Sequence, residues 1–112
     1  MDEAAARERL LRRRAELSDE DRMSAADRAP VTLDQDSVGR LSRIDAMQVQ
    51  AMALATEQRR AAERRRIDAA LKRIDAGEFG FCLTCGEEIS PARLAHDPSL
   101  SQCVGCASEE RS

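Results

Sequence analysis

Residues 74–106, IDAGEFGFCLTCGEEISPARLAHDPSLSQCVGC, hold all four cysteines of the chain as two CxxC pairs, Cys82–Cys85 and Cys103–Cys106. The 17 residues from Gly86 to Gln102 separate them, a spacing that reads as a four-cysteine zinc site. Tetrahedral zinc takes thiolates at ~2.3 Å, and two residues between cysteines let one tight turn present both sulfurs to the same ion. Gly86 and Gly105 follow or divide the pairs and are expected to relieve those turns. Phe79, Phe81, Ile89, Leu94, Leu100 and Val104 flank the ligands and are expected to cap the metal. A core this small does not fold without its ion. Zn2+ is the expected metal and iron its inorganic rival, since both accept four thiolates. His96, the single histidine, lies between the pairs and is expected at the surface, because four cysteines already complete the ligand set. A closed four-thiolate site leaves no position for water or substrate, so the chain is not expected to be an enzyme.

Immediately upstream, Gly77 supplies a helix stop,. The sequence before it predicts a helix running back from Ala76 to a cap at Asp36 or Ser37. Its roughly 40 residues would extend ~60 Å, too long for a compact domain of this size, so it needs a partner. Residues 3 to about 28 contain no Gly or Pro and are rich in Ala, Arg, Glu and Leu, which predicts that partner helix. Pro30 ends it,. Ser18 and Asp21 resemble a capping box, which would instead divide this stretch near Leu17. The expected fold is therefore mostly α: an antiparallel two-helix coiled-coil hairpin followed by a small four-cysteine zinc finger. Leu10 and Leu17 are seven apart, as are Ile67 and Ile74, the heptad spacing of a seam. Pairing Leu10 with Ile74 and Leu17 with Ile67 puts the hairpin midpoint near residue 42, while Leu11 and Leu71 permit other registers. The predicted organisation is 1–76 for the hairpin (helix about 3–28, loop and tip about 29–46, helix to 76) and 77–112 for the finger.

The chain has 112 residues, of which 35% are charged, and Phe79 and Phe81 are its only aromatics, so no large core is expected. Residues 1–36 carry 7 basic and 10 acidic side chains, residues 37–76 carry 9 and 5, and residues 77–112 carry 2 and 6. The cysteine module is acidic, and a zinc ion with four thiolates makes it more so by about two charges. Such a surface repels phosphate, and direct nucleic-acid binding is not expected. The arginine run Gln58–Arg66 reads as a solvated helix face, and Met47 and Met52 as packing residues near the hairpin. The charged N-terminus has no signal-peptide run, and the longest mostly apolar stretch, Ala51–Ala55, is too short for a bilayer,. A cytoplasmic protein is expected, where reduced cysteines favour metal over disulfides.

The stretch Ile74–Cys106 closely resembles the zinc-finger signature of the DnaK suppressor (DksA/TraR) family. The match comprises a helix ending in Ile74, then Gly77, Phe79–Gly80, the first pair with Gly86, Ile89, Arg93–Leu94, Pro98 and the second pair. The resemblance covers about a third of the chain. It implies a transcription regulator that binds RNA polymerase without reading DNA sequence, its coiled coil entering the secondary channel and an acidic tip approaching the catalytic region. It also implies that the alarmone ppGpp acts at the polymerase interface. Longer relatives carry Asp-x-x-Asp-x-Ala at the tip, and the nearest segment here is Ser42-Arg43-Ile44-Asp45-Ala46-Met47. By that resemblance Asp45 takes the second Asp position, with Asp34 and Asp36 as competing candidates. Ser42 and Met47 depart from the pattern, which implies a weaker or antagonistic variant. Two other classes fit the same residues: a zinc-stapled protein adaptor and a thiol redox sensor.

Overall fold

The computed structural model describes residues 2–29 and 40–111. They form five helices in the order α1 (Glu3–Met23), α2 (Ala25–Arg28), α3 (Arg40–Asp75), α4 (Pro91–His96) and α5 (Val104–Arg111). Among the described residues, extended pairing is confined to one isolated antiparallel bridge, Phe81 with Glu88. The chain divides into two compact units, Met1–Ala15 with Arg64–Ser112, and Glu16–Glu63.

In the first unit the start of α1 and the end of α3 bury a stripe of alternating small and large residues: Ala6 and Leu10 on α1, Ile67, Ala70 and Ile74 on α3. The steps of three and four along each helix keep these side chains on one face. At the margins Arg7 pairs with Asp75 at 2.6 Å and Arg14 with Asp68 at 3.3 Å. Higher numbers on α1 thus meet lower numbers on α3. The last turn of α3 closes as the sequence predicts: the Glu78 amide donates to the Arg73 carbonyl at 2.8 Å and the Gly77 amide to Ile74 at 3.1 Å, with Gly77 at φ 74°. This pair of hydrogen bonds with a left-handed glycine is the Schellman closure, and it turns the chain out of the helix into the cysteine module,.

In the second unit, Leu17 is buried, and so is Arg60. Arg60 Nε donates to Asp21 Oδ1 at 2.6 Å and its Nη2 to Ser24 Oγ at 2.8 Å. The helical run over 3–28 breaks at Ser24 rather than near Leu17. The cause is local: the Ser24 hydroxyl lies 3.3 Å from the Asp21 carbonyl and Arg28 Nη2 donates to the same carbonyl at 2.6 Å. Side-chain donors thereby compete with the backbone ladder at that turn. Gln50 Nε2 donates to the Ala29 carbonyl at 2.9 Å.

Two sequence expectations change in this unit. Met47 and Met52 are not packed but 54% and 71% exposed. Within the run Gln58–Arg66, Arg59, Arg65 and Arg66 face solvent, yet Arg60 is buried against Asp21 and Ser24. The expected caps Asp36 and Ser37, and the tip candidate Asp34, lie outside the described residues. No helix among the described residues is long and apolar enough to cross a membrane.

Candidate metal centre

The two cysteine pairs are delivered by different local structures. After Phe79 the chain makes a tight hairpin in which the Ile89 amide donates to the Gly80 carbonyl at 2.7 Å and the Cys82 amide to Glu87 at 2.8 Å. The turn closes with the Gly86 amide on the Cys82 carbonyl at 2.9 Å, Gly86 having φ 78°. That positive φ is why glycine follows the first pair. The second pair straddles the start of α5, where the Ala107 amide donates to the Cys103 carbonyl at 3.0 Å. Gly105 is helical there and relieves no turn, contrary to expectation.

Between the pairs, α4 begins with Pro91, whose fixed φ suits a first helical position and whose missing N–H costs nothing there,. Asp97 then accepts from the Ser99 amide at 3.0 Å and from its hydroxyl at 2.7 Å. Arg93 Nε donates to the Gln102 carbonyl at 3.1 Å, and the Leu83 amide to Ser101 at 2.8 Å. These bonds hold the approach to Cys103 against the first turn. From α1, the Arg9 guanidinium donates to the carbonyls of Ala95 and His96, the latter at 3.2 Å. A cation at the end of α4 suits the partial negative charge of those last carbonyls.

The four sulfurs of Cys82, Cys85, Cys103 and Cys106 all lie within 4.8 Å of one another, and those of Cys85 and Cys103 are 3.7 Å apart. A regular tetrahedron with metal–sulfur bonds of ~2.3 Å has sulfur–sulfur edges of about 3.8 Å. The donor set is therefore the size and chemistry of a closed zinc site. Cys82 is buried, Cys103 and Cys106 half-buried and Cys85 exposed.

Electrostatics agree with that fit. The backbone N–H groups of Cys103 and Cys85 lower the Cys82 thiol to about 6. Cys106 is pushed well above the usual thiol range, first by the Cys103 sulfur and then by that of Cys82. At Cys85 the Glu87 amide pulls downward, but the Cys82 sulfur, burial and the Cys103 sulfur together raise the group. Sulfurs so close cannot all carry charge unless a cation shares it.

The cover over the cluster is smaller than the sequence predicts. Phe79, Ile89 and Leu94 are buried, Leu100 is half-buried, while Phe81 is 44% and Val104 58% exposed. Pro98 and Ser99 complete the buried set. His96 is exposed and stands outside the sulfur cluster, as expected. Asp45 is exposed near the start of α3, and Asp36, like Asp34, is not among the described residues. The clamp from Arg9, 86 residues from Ala95, and the tie from Arg93, 9 residues from Gln102, escaped the sequence reading, because neither motif nor periodicity reports such bonds.

Residues 77–111 match the family model of the prokaryotic dksA/traR C4-type zinc finger. Over 42 residues the chain is 43% identical to the RNA polymerase-binding transcription factor DksA of Haemophilus influenzae, a stretch covering 38% of this chain and 29% of that protein. It is 36% identical over 42 residues to the protein of the same name from Escherichia coli, covering 38% and 28%. These alignments thus span under a third of either relative. The structure of the transcription factor DksA2 from Pseudomonas aeruginosa superposes with a TM-score of 0.74 at 23% identity, over 97% of this chain and 82% of that one. The fold is shared well beyond the finger.

Proposed function

We propose that this chain, whose C-terminal module is that of the DksA/TraR zinc-finger family, is a non-enzymatic transcription regulator that binds RNA polymerase. The observation that carries this reading is the four-sulfur cluster inside the matched segment, residues 77–111. In this reading Cys82, Cys85, Cys103 and Cys106 hold one structural Zn2+, which ties the hairpin turn to α5 and takes part in no reaction. The functional division is 1–76 as a helical arm and 77–112 as the finger.

The arm is an antiparallel coiled coil of α1 with α3, a reading supported by the reversed order of the pairs Arg7–Asp75 and Arg14–Asp68. Its far end enters the secondary channel of the polymerase, with Asp45 as the acidic tip residue nearest the active centre and Asp34 and Asp36 as alternatives. ppGpp acts, where it acts, at the interface with the polymerase. The protein reads no DNA sequence: the acidic finger, 2 basic against 6 acidic side chains, is unsuited to a phosphate backbone,. The setting is cytoplasmic.

A protein adaptor is the second reading, favoured by the exposure of Ile44, Met47, Val49, Met52 and Leu54 along α3. The deciding experiment is binding of the zinc-loaded chain to core RNA polymerase, competed by a known secondary-channel factor. Saturable, competed binding is expected. Absence of binding at micromolar concentration overturns the polymerase reading and leaves the adaptor.

A further inference from the structure

Beside the metal centre, on the face of the first unit formed by α1 and the cysteine hairpin, lies a cleft of about 180 Å³. Its apolar surface comes from Phe79, Ile89 and Leu94, its rim from Phe81, Glu88 and, on the first turn of α1, Glu3. A cleft of that volume falls below the ~300–1,000 Å³ that small-molecule sites occupy. It has room for one side chain.

The chemistry of the rim selects which one. Phe81 and Glu88 face each other across the single antiparallel bridge, which sets their side chains on the same face with Cβ atoms ~5 Å apart. Phe81 remains 44% exposed in a module with few large apolar residues to spend. Glu3 and Glu88 are both exposed, and neither takes a cation from the described residues. The rim therefore offers an aromatic face, Phe81, and two carboxylates, Glu88 and Glu3, close to one another. Opposite charge is drawn to such a surface. We propose that this cleft receives an arginine side chain of a protein partner. Its methylene stem lies along Ile89 and Leu94, its guanidinium plane stacks on Phe81, and its N–H donors meet Glu88 and Glu3. Gly80 lines the same wall beside Leu94 and takes φ 93°, a conformation that favours glycine,. Nothing in the assignment requires the partner to be the polymerase.

The test uses the full zinc-loaded chain and the two phenylalanine ring systems as NMR reporters, with N-acetyl-arginine methylamide as the probe. Saturable shifts of the Phe81 ring and the Glu88 amide are expected, weakened by salt. The uncharged citrulline analogue should bind about two- to fivefold more weakly, as should Phe81→Leu and Glu88→Gln with their amide spectra otherwise unchanged. Equal response to the citrulline or norleucine analogue would mark a plain apolar cleft and overturn the proposal. So would tighter binding of free arginine than of the blocked form, or no shift up to the solubility limit. Polymerase is absent from the assay, so its outcome and that of the polymerase competition stand apart.

Discussion

The finger, residues 77–111, and the unit Glu16–Glu63 obtain their order in opposite ways. In the finger, Phe79, Cys82, Ile89 and Leu94 are buried within a short span, and four sulfurs converge on one point. In Glu16–Glu63, Leu17 is the one buried apolar residue among those described, and the centre of the unit is a cation: Arg60 held by Asp21 and Ser24, 39 and 36 residues away. Elsewhere in the unit Met23, Ile44, Met47, Val49, Met52 and Leu54 stay exposed. A metal lets a small segment hold itself together without a large core. A pair of helices joined by a polar network instead keeps apolar surface free, which suits a segment that meets a partner.

If the four thiolates hold zinc, as proposed, removing it breaks the comparison most severely. Apparent binding free energy for structural zinc is ~10–16 kcal/mol, and in small modules it is folding free energy. Chelation, or Cys82→Ser, is expected to collapse the amide dispersion of residues 77–111. Most of the helical circular dichroism should remain, because α1 and α3, with 21 and 36 residues, far exceed α4 and α5, with 6 and 8. Loss of the whole helical signal would mean that the arm depends on the finger as well.

Legibility follows the same divide. The cysteine spacing, the Gly77 closure and the burial of Leu10, Ile67 and Ile74 could be read because each rests on a local rule: ligand geometry, a left-handed glycine or a helical period. What could not be read depends on contacts distant in sequence, or on which of several local side-chain bonds forms. Nothing near Arg60 in the chain announces burial against Asp21, and at Ser24 no periodicity tells that its hydroxyl and Arg28 take up the Asp21 carbonyl and stop α1 there. Phe81 and Val104 were expected over the metal because they are apolar and adjacent to cysteines. Sequence adjacency does not tell which side of a tight hairpin or helix start a side chain takes.

Substitutions along α1 sharpen the contrast, since that helix contributes to both units. Leu10 is 2% exposed, and Leu10→Ala is expected to cost about 2–5 kcal/mol,. Its neighbour Leu11, 47% exposed, should cost within about 0.5 kcal/mol when cut to Ala,. Denaturant unfolding of both variants makes the check. In Glu16–Glu63, Asp21→Ala removes a charged acceptor from Arg60, at about 1.5–3 kcal/mol,. Hydrogen exchange should place the Leu10 effect on Arg64–Asp75 amides and the Asp21 effect on Glu16–Glu63. Identical, global loss of protection in both variants would show that the two units unfold as one.

The smallest effect on stability belongs to Asp45→Asn. Asp45 is exposed, and no hydrogen bond or ion pair ties it to another described residue. An exposed helix position of this kind changes stability by no more than about 0.5 kcal/mol. If Asp45 is the acidic residue of the proposed tip, its charge acts near the polymerase active centre rather than in the fold or in docking. Asn keeps the shape and removes the charge, so transcription from a responsive promoter should lose most of its regulation while affinity for the polymerase stays within about twofold, a change of ~0.4 kcal/mol. Loss of affinity with regulation preserved at saturation would move Asp45 from the tip to the docking surface, and the acidic role would pass to Asp34 or Asp36.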